Sequence, residues 1–233
     1  MLESWYLLRS GSRSAAENMA VDEALLETVR ELGRPVLRFY SWNELAATFG
    51  YAQRFEEAAS LTRLRPLIRR PTGGGLVSHD GDWTYSLVFP PSHRWFEFRA
   101  VESYRAVHEW LRAAFARFGV NAELADSIPV ERRGDCFARA ERNDLLWGKS
   151  KLAGAAQRRN RFGLLIQGSI RPPTEPLGEL TWVRREWEEA LLRSGANSLR
   201  VEWLELCLSD EFARRANDLA AKKYLLEGYN RSR

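Results

Sequence analysis

The sequence predicts an α/β (α+β) fold in which helices flank one mixed, largely antiparallel sheet. Short runs of β-forming residues and amphipathic helical segments are interspersed along the 233 residues. In the second half, three strand-like segments (144–147, 152–157 and 162–170) follow one another with short turns between them, which is typical of antiparallel neighbours. No linker, repeat or low-complexity tract appears, so we predict a single domain over residues 1–233.

The first elements are predicted from local patterns. Residues 5–8 form a strand, and residues 14–17 have a capping-box pattern in which a serine and a glutamate satisfy free backbone donors. The amphipathic helix that follows ends at Gly33. Residues 35–42 are rich in β-formers and predict a second strand, with residues 46–51 as its partner.

Further along, a short strand at 67–68 enters a run of three glycines and a strand at 84–89 leaves it, so the run is a loop between strands. Apolar residues at helical spacing predict an amphipathic helix over 102–118. Residues 131–135 are polar and loop-like, and two helices, over 182–193 and 210–225, close the domain.

Composition excludes several classes of protein. The net charge is +4, from 35 Lys and Arg against 31 Asp and Glu, but the basic residues are dispersed, which argues against nucleic-acid binding. A positive surface still fits an acidic protein partner. No apolar run is long enough for a membrane span, no secretion signal is visible, and two cysteines fit a reduced, cytoplasmic setting. No Cys/His spacing predicts a metal site.

The glycine run, Gly73 to Gly75, is the first candidate for a binding site. Consecutive glycines lose much backbone entropy on folding, so such a run indicates that a ligand approaches the backbone closely. Its bare N–H groups can hold a carboxylate, a phosphate or a thioester carbonyl, and Arg69 and Arg70 can add positive charge. A wide hairpin turn is the alternative interpretation.

Residues 69–80 (RRPTGGGLVSHD), followed by 83–86 (WTYS), resemble the signature of the lipoate–protein ligase and octanoyltransferase family, whose catalytic fold is shared with biotin–protein ligases. Residues 18–25 resemble its first helix, residues 37–42 and then 50–53 its second and third strands, and residues 151–157 its lysine motif. The resemblance runs from about residue 5 to about residue 170. It implies that family's catalytic domain, without the small accessory domain that follows it in many ligases.

The resemblance also implies a site. Lys151 is expected beside the acyl group, where an ammonium can stabilise charge on a carbonyl or phosphate. Lys149, two residues earlier, is expected on the same strand face and competes for this assignment. The acyl group or a nucleotide is expected to contact Arg70, Thr72, Gly73, Gly74, Gly75, Val77, His79, Asp80, Gly154, Ala155 and Gly168. His79 is either a general base or a residue that fixes the loop.

Cys136 decides between mechanisms. A lone cysteine is most often a buried apolar thiol, but a thiolate can also take an acyl group from a thioester and pass it to a lysine. Lys151, Lys149 or Arg139 would lower its pKa if they converge on it. Cys136-Phe137 lies 15 residues before Lys151, the spacing found in the cysteine-dependent octanoyltransferases of the family.

We therefore predict transfer of an octanoyl or lipoyl group from acyl carrier protein, through a Cys136 thioester, to a lysine of a lipoyl-domain protein, without a cofactor. Residues 142–145 (RNDL) instead resemble the ligases, which use ATP; Asp80 and Asp82 would then hold Mg²⁺ or merely brace the turn. A non-catalytic acyl-binding or lipoyl-domain-binding member is the third alternative. Gln167 stands where family members commonly have a histidine, which puts an acid–base role there in doubt.

Overall fold

The chain folds around two sheets in the computed structural model, which describes residues 2–126, 140–172 and 183–232. In chain order the strands are β1 (Glu3–Arg13), β2 (Val36–Trp42), β3 (Ala46–Phe49), β4 (Leu67–Arg69), β5 (Val77–His79), β6 (Trp83–Phe89), β7 (Glu123–Leu124), β8 (Leu145–Trp147), β9 (Ser150–Asn160), β10 (Gly163–Ile170) and β11 (Val201–Glu205). The helices are α1 (Ala15–Leu32), α2 (Phe55–Leu61), α3 (Ala100–Ala116), α4 (Arg184–Ser194), α5 (Asp210–Leu219) and α6 (Glu227–Asn230).

The large sheet has the strand order β11-β1-β2-β6-β10-β9-β8-β7 in the described ranges. β1 runs parallel to β11 and to β2, and every other neighbouring pair in this sheet is antiparallel. The prediction of a mixed, largely antiparallel sheet flanked by helices is confirmed. The small sheet, in the order β4-β3-β5, carries the ends of the glycine loop.

Helix α1 begins and ends as its sequence predicts. The Ser14 hydroxyl accepts from the Glu17 backbone, while the Glu17 carboxylate accepts from the Ser14 backbone. Gly33 ends the helix in the left-handed conformation (φ 67°), which glycine adopts without strain. The buried face of α1 packs against β2, β6 and β10, so polar residues on that face lie directly above the sheet.

Two hydrophobic layers cover the large sheet. α1 and α5 pack on one face, whereas α3 and α4 cover the other. Trp5 lies at the centre of the second layer, with its ring 5–6 Å from those of neighbouring aromatic residues, including Phe89, Trp95 and Trp203. None of the helices in the described ranges has both the length and the apolar character needed to cross a bilayer.

One predicted pairing is wrong. Residues 46–51 are not the partner of the strand at 35–42, because β2 is already paired with β1 and β6 on its two edges. β3 instead lies between β4 and β5 in the small sheet. The elements α2, β5, β7, β11 and α6 were not predicted; all are short, and their patterns are weak. The predicted loop at 131–135 lies outside the described residues.

Candidate active site

A cavity of about 690 Å³ lies between the large sheet, the start of α1, the glycine loop and α2. Nine of the predicted site residues line it: Arg70, Gly74, Gly75, Val77, His79, Lys151, Gly154, Ala155 and Gly168. Thr72, Gly73 and Asp80 are not part of the lining, and Cys136 lies outside the described residues. The described residues on either side of this gap lie together near the cavity, since Ala125 and Asn143 are hydrogen-bonded and Glu141 lines the cavity.

The floor of the cavity is a row of four residues on adjacent strands. Gly154 of β9 is in register with Ser169 of β10, Ser169 with Thr84 of β6, and Thr84 with Tyr40 of β2. All four line the cavity. With strands about 4.8 Å apart, the row is about 14 Å long. Small residues lead from Gly154 to the large ring of Tyr40, where Trp42 packs at 5.7 Å.

The two hydroxyl groups in this row are bound to protein partners. Ser169 Oγ donates to Asp82 Oδ2 at 2.5 Å, and Thr84 Oγ1 lies 3.4 Å from the same oxygen while accepting from Trp42 Nε1. Burial opposes ionisation of Asp82, but the charge of His79 and the hydrogen bonds of His79 and Ser169 outweigh it and lower the pKa of Asp82. The hydroxyls are thus satisfied from within the protein, so the floor can accept an apolar chain.

Lys151 lies at the Gly154 end of the row. Its Nζ is 2.7 Å from Asp144 Oδ2, and both side chains are only 6% exposed. The same carboxylate accepts from the Glu141 backbone. Burial raises the pKa of Asp144, although the Lys151 charge opposes this. A Cβ at residue 154 would lie 2.6 Å from Lys151 Cε, so glycine there makes room for the lysine.

Lys149 does not share the strand face of Lys151. It is exposed in the turn between β8 and β9, where Gly148 has a φ of 58°. β9 begins only at Ser150, so Lys149 is outside the strand. The rule that residues two apart in a strand share a face therefore does not apply to the two lysines. The expectation for Lys149 was therefore wrong, and Lys151 is the lysine at the cavity.

His79 is fixed on three sides. Its Nδ1 lies 2.9 Å from Asp82 Oδ2, its Nε2 lies 2.9 Å from Thr48 Oγ1, and its ring stacks on Trp42 at 3.6 Å. Both ring nitrogens are engaged with protein groups. This geometry is that of a residue that fixes the cavity wall.

The arginines before the glycine run hold backbone carbonyl groups. Arg70 donates to the carbonyls of Gly73 and Thr48, which shapes the loop from inside. Arg69 is fully buried and donates to four carbonyls, those of Tyr51, Gln53, Tyr229 and Asn230. The expectation that Arg69 offers its charge to a ligand is not met, because its guanidinium joins α6 to the chain after β3.

Gln167 connects the glycine loop to α1. Its carbonyl oxygen accepts from Thr72 Oγ1 at 2.7 Å, and its amide donates to Asp22 Oδ2 at 2.7 Å. Asp22, fully buried, also accepts from Arg38, Ser86 and Tyr40. Thr72 therefore belongs to the support of the cavity rather than to its lining.

Gly168 makes room for a protein side chain on the other face of the sheet. A Cβ there would lie 2.0 Å from Cζ of Tyr85, whose ring crosses this position. Burial, and then the nearby charge of Asp144, raises the pKa of Tyr85. His108 of α3 lies on the same side and donates through Nδ1 to the Asn143 carbonyl, next to Asp144.

Asp80 and Asp82 do not converge on a common point. Asp80 is exposed and paired with Arg171, whereas Asp82 turns inward to His79. Within the described ranges, no group of three or more His, Cys, Asp and Glu side chains is arranged to hold a metal ion. These two residues therefore do not form the Mg²⁺ pair considered from the sequence.

Sequence reasoning missed several residues of the site, chiefly Asp22, Arg38, Asp144 and Gly50. A Cβ at Gly50 would lie 1.9 Å from the Gly74 carbonyl oxygen, so the loop can dock only on a glycine. Asp22 carried a signal, since it lies among the apolar residues of α1, where a buried carboxylate needs partners. Nothing local marks Gly50 as a contact of residue 74.

Comparisons with known proteins identify the fold and the family. The chain aligns with solved lipoate–protein ligases over nearly its whole length. Lipoate-protein ligase A bound with ATP has a TM-score of 0.79 at 22% identity, covering 99% of each chain. The bi-partite lipoate protein ligase of Thermoplasma acidophilum, analysed with its E2 lipoyl domain, has a TM-score of 0.74 at 21% identity, covering 99% of this chain and 97% of that one. The fold is therefore that of a lipoate–protein ligase catalytic domain.

The profile of the lipoyl protein ligase A/B catalytic domain matches residues 14–176, so the chain belongs to this family. Octanoyltransferase LipM of Staphylococcus aureus is 35% identical over 183 residues, which cover 73% of this chain and 66% of that protein. Octanoyltransferase LipM of Exiguobacterium sp. is 38% identical over 181 residues, 72% and 65% of the two chains. The chain thus spans just under two thirds of the length of these curated relatives.

Proposed function

We propose that this chain is a cytoplasmic acyltransferase that moves an octanoyl or lipoyl group from acyl carrier protein to a lysine of a lipoyl-domain protein. The observation that carries the proposal is the floor row, which leads from Lys151 past small residues to Tyr40. An extended acyl chain of about eight carbons fits within its length of about 14 Å. The acyl carbonyl then lies at the Lys151 end.

In the proposed reaction, the Cys136 thiolate attacks the carbonyl of the carrier thioester and expels the carrier thiolate. The lysine amine of the lipoyl domain then attacks the Cys136 thioester, an amide bond forms, the Cys136 thiolate leaves and the amine loses a proton. Lys151, held by Asp144, stabilises the charge that develops on the carbonyl oxygen in both steps. Likeness to an octanoyltransferase over 73% of the chain supports transfer of an octanoyl group as the reaction.

The charges around the cavity favour this reaction over adenylation by ATP. Arg70 is bound to carbonyls of the loop, and Lys151 is paired with Asp144. Glu57, Glu141 and Asp144 also line the cavity, so a triphosphate would meet negative charge there. We therefore propose that no cofactor is needed, and that ATP with Mg²⁺ belongs to the alternative ligase reaction.

A donor experiment tests the proposal. The chain is incubated with a lipoyl domain and either octanoyl–carrier protein or octanoate plus ATP, and intact masses are measured. We expect the octanoyl mass on the lipoyl domain only with the carrier protein, and a transient octanoyl mass on Cys136. Cys136→Ala should abolish transfer, whereas Cys207→Ala, which removes an exposed thiol far along the chain, should not. Full activity of Cys136→Ala, or modification only with ATP, would overturn it.

A further inference from the structure

Two hydrogen bonds link the glycine loop to α1: Thr72 of the loop binds Gln167 of β10, and Gln167 binds the buried carboxylate of Asp22 on α1. All three residues are at least 93% buried, and both hydrogen bonds measure 2.7 Å. Gln167 also lines the cavity, so the residue that supports the loop faces the acyl group as well.

The polarity of this link is dictated by Asp22. An ionised carboxylate can only accept, and Asp22 already accepts from Arg38, Ser86 and Tyr40. The partner at residue 167 must therefore donate towards Asp22. The other polar atom of this side chain is then left to accept a hydrogen bond from the Thr72 hydroxyl. A glutamine amide meets both demands in one orientation, and it cannot ionise.

From this arrangement we infer that Gln167 is a positioning residue for acyl transfer, which holds the glycine loop through Thr72 and keeps that hold unchanged across the working pH range. The inference rests on the proposed function, since the loop is taken to hold the acyl group. Gln167 does no bond-making chemistry. It fixes where the loop lies relative to Lys151 and the floor row.

A glutamate at this position has the same shape and tests the link. When protonated, it reproduces the glutamine, with its hydroxyl donating to Asp22 and its carbonyl accepting from Thr72. When ionised, it places a second carboxylate against Asp22. Burial and Asp22 both raise the pKa of such a glutamate above its usual value of about 4.3. Arg38 and, along the cavity, Arg70 and Lys151 oppose this. The other titratable groups around this position in the described ranges are Tyr40, the Asp82–His79 pair and the cavity-lining carboxyl groups of Glu57, Glu141 and Asp144.

The experiment compares kcat/KM of Gln167→Glu and the wild type from about pH 5.5 to about pH 9 with octanoyl–carrier protein as donor. We expect the ratio of variant to wild type to be close to one at the acidic end, and to fall on the order of tenfold or more at the alkaline end. Ser86→Ala, which removes another donor from Asp22 away from the cavity, should lower the melting temperature without adding this pH dependence.

A ratio that stays flat with pH overturns the inference, as does a loss of folded Gln167→Glu protein at the assay temperature that is as large as its loss of activity, since the melting temperature alone is expected to fall with pH. A second pair of variants keeps the test independent of that glutamate. Thr72→Ser retains the hydroxyl and should keep its activity, whereas Thr72→Val should lose on the order of tenfold. Equal activity of both variants would contradict the link. A wild type inactive with the carrier-protein donor would instead refute the proposed function.

Discussion

The ammonium of Lys151 and the carboxylate of Asp144 form an ion pair of 2.7 Å with almost no exposure to solvent. Gly154 lies beside them on the same strand as Lys151, and the lysine side chain occupies the space that a Cβ at residue 154 would need. The position of the lysine is thus set by a carboxylate on one side and by the absence of a side chain on the other. Changes at either place should move the ammonium.

Gly154→Ala should displace Lys151, since the added Cβ would lie 2.6 Å from Cε and 2.8 Å from Nζ. A shift of about 1 Å in a catalytic group can lower a rate on the order of 100-fold, and we expect a loss of that size in octanoyl transfer. The rate is measured by intact mass of the lipoyl domain.

Gly73→Ala is the matched control for this variant. A Cβ at residue 73 would meet nothing within 4 Å, and its φ lies outside the left-handed region. Transfer by Gly73→Ala should stay near the wild-type rate. Equal losses in both variants would show that any side chain near the cavity is harmful, and would refute the specific role of Gly154.

Gly168→Ala should destabilise the fold through Tyr85. The new methyl group would overlap a fully buried ring, and overpacking of this kind costs about 1–3 kcal/mol. Truncating the ring removes the clash, so the free-energy changes of Gly168→Ala and Tyr85→Ala should sum to more than that of the double variant.

Urea unfolding of the two single variants and the double variant measures this coupling. Gly228→Ala in α6, where a Cβ would meet nothing within 4 Å, serves as the reference for a harmless glycine substitution. Strict additivity of the two changes would mean that Tyr85 and residue 168 do not compete for the same space.

His108 should make the fold sensitive to acid. Burial, together with the charge of Lys151, lowers the pKa of His108 to about 4 from 6.5, although its hydrogen bond to Asn143 opposes the shift. Between these values the unfolded chain binds a proton at this residue and the folded chain does not. Stability is therefore fully present above pH 6.5 and falls as the pH drops, by roughly 3 kcal/mol over this window.

The free energy of unfolding at several pH values from 7 to 4 tests this, in the wild type and in His108→Asn. The asparagine keeps an amide donor near the Asn143 carbonyl but cannot titrate in this range. We expect a variant that is less stable at neutral pH and that loses less stability on acidification. Parallel pH profiles for the two proteins would contradict the assignment to His108.

Local patterns were enough to predict much of the fold. The capping box at Ser14, the stop at Gly33 and the strand β10, which follows a short turn, are all determined by neighbours a few residues apart. The edges of the sheets were not predictable in this way. β3 joins the small sheet because both edges of β2 are occupied, and that occupation depends on strands elsewhere in the chain.

The same distinction between local motifs and distant contacts applies to the site. The glycine loop, His79 and Lys151 lie at the cavity, and their sequence motifs placed them there. The link from Gln167 to Asp22 spans 145 residues, so no local pattern could reveal it. Gly154 and Gly168 were expected to let a ligand approach. Each makes room for a protein side chain, and the sequence alone cannot tell which kind of neighbour a glycine accommodates.

Strand β1 has a consequence for the order of folding. It is synthesised well before one of its two partners, β11, which pairs with it across about 198 residues, as the Ser4–Glu202 contact illustrates. On the ribosome, β1 must wait with its outer edge uncovered until β11 emerges, and an uncovered edge can pair with other chains. Hairpins such as β9–β10 can close at once, whereas the β1–β11 ladder closes late. A nascent chain is therefore most in need of a chaperone between these two events.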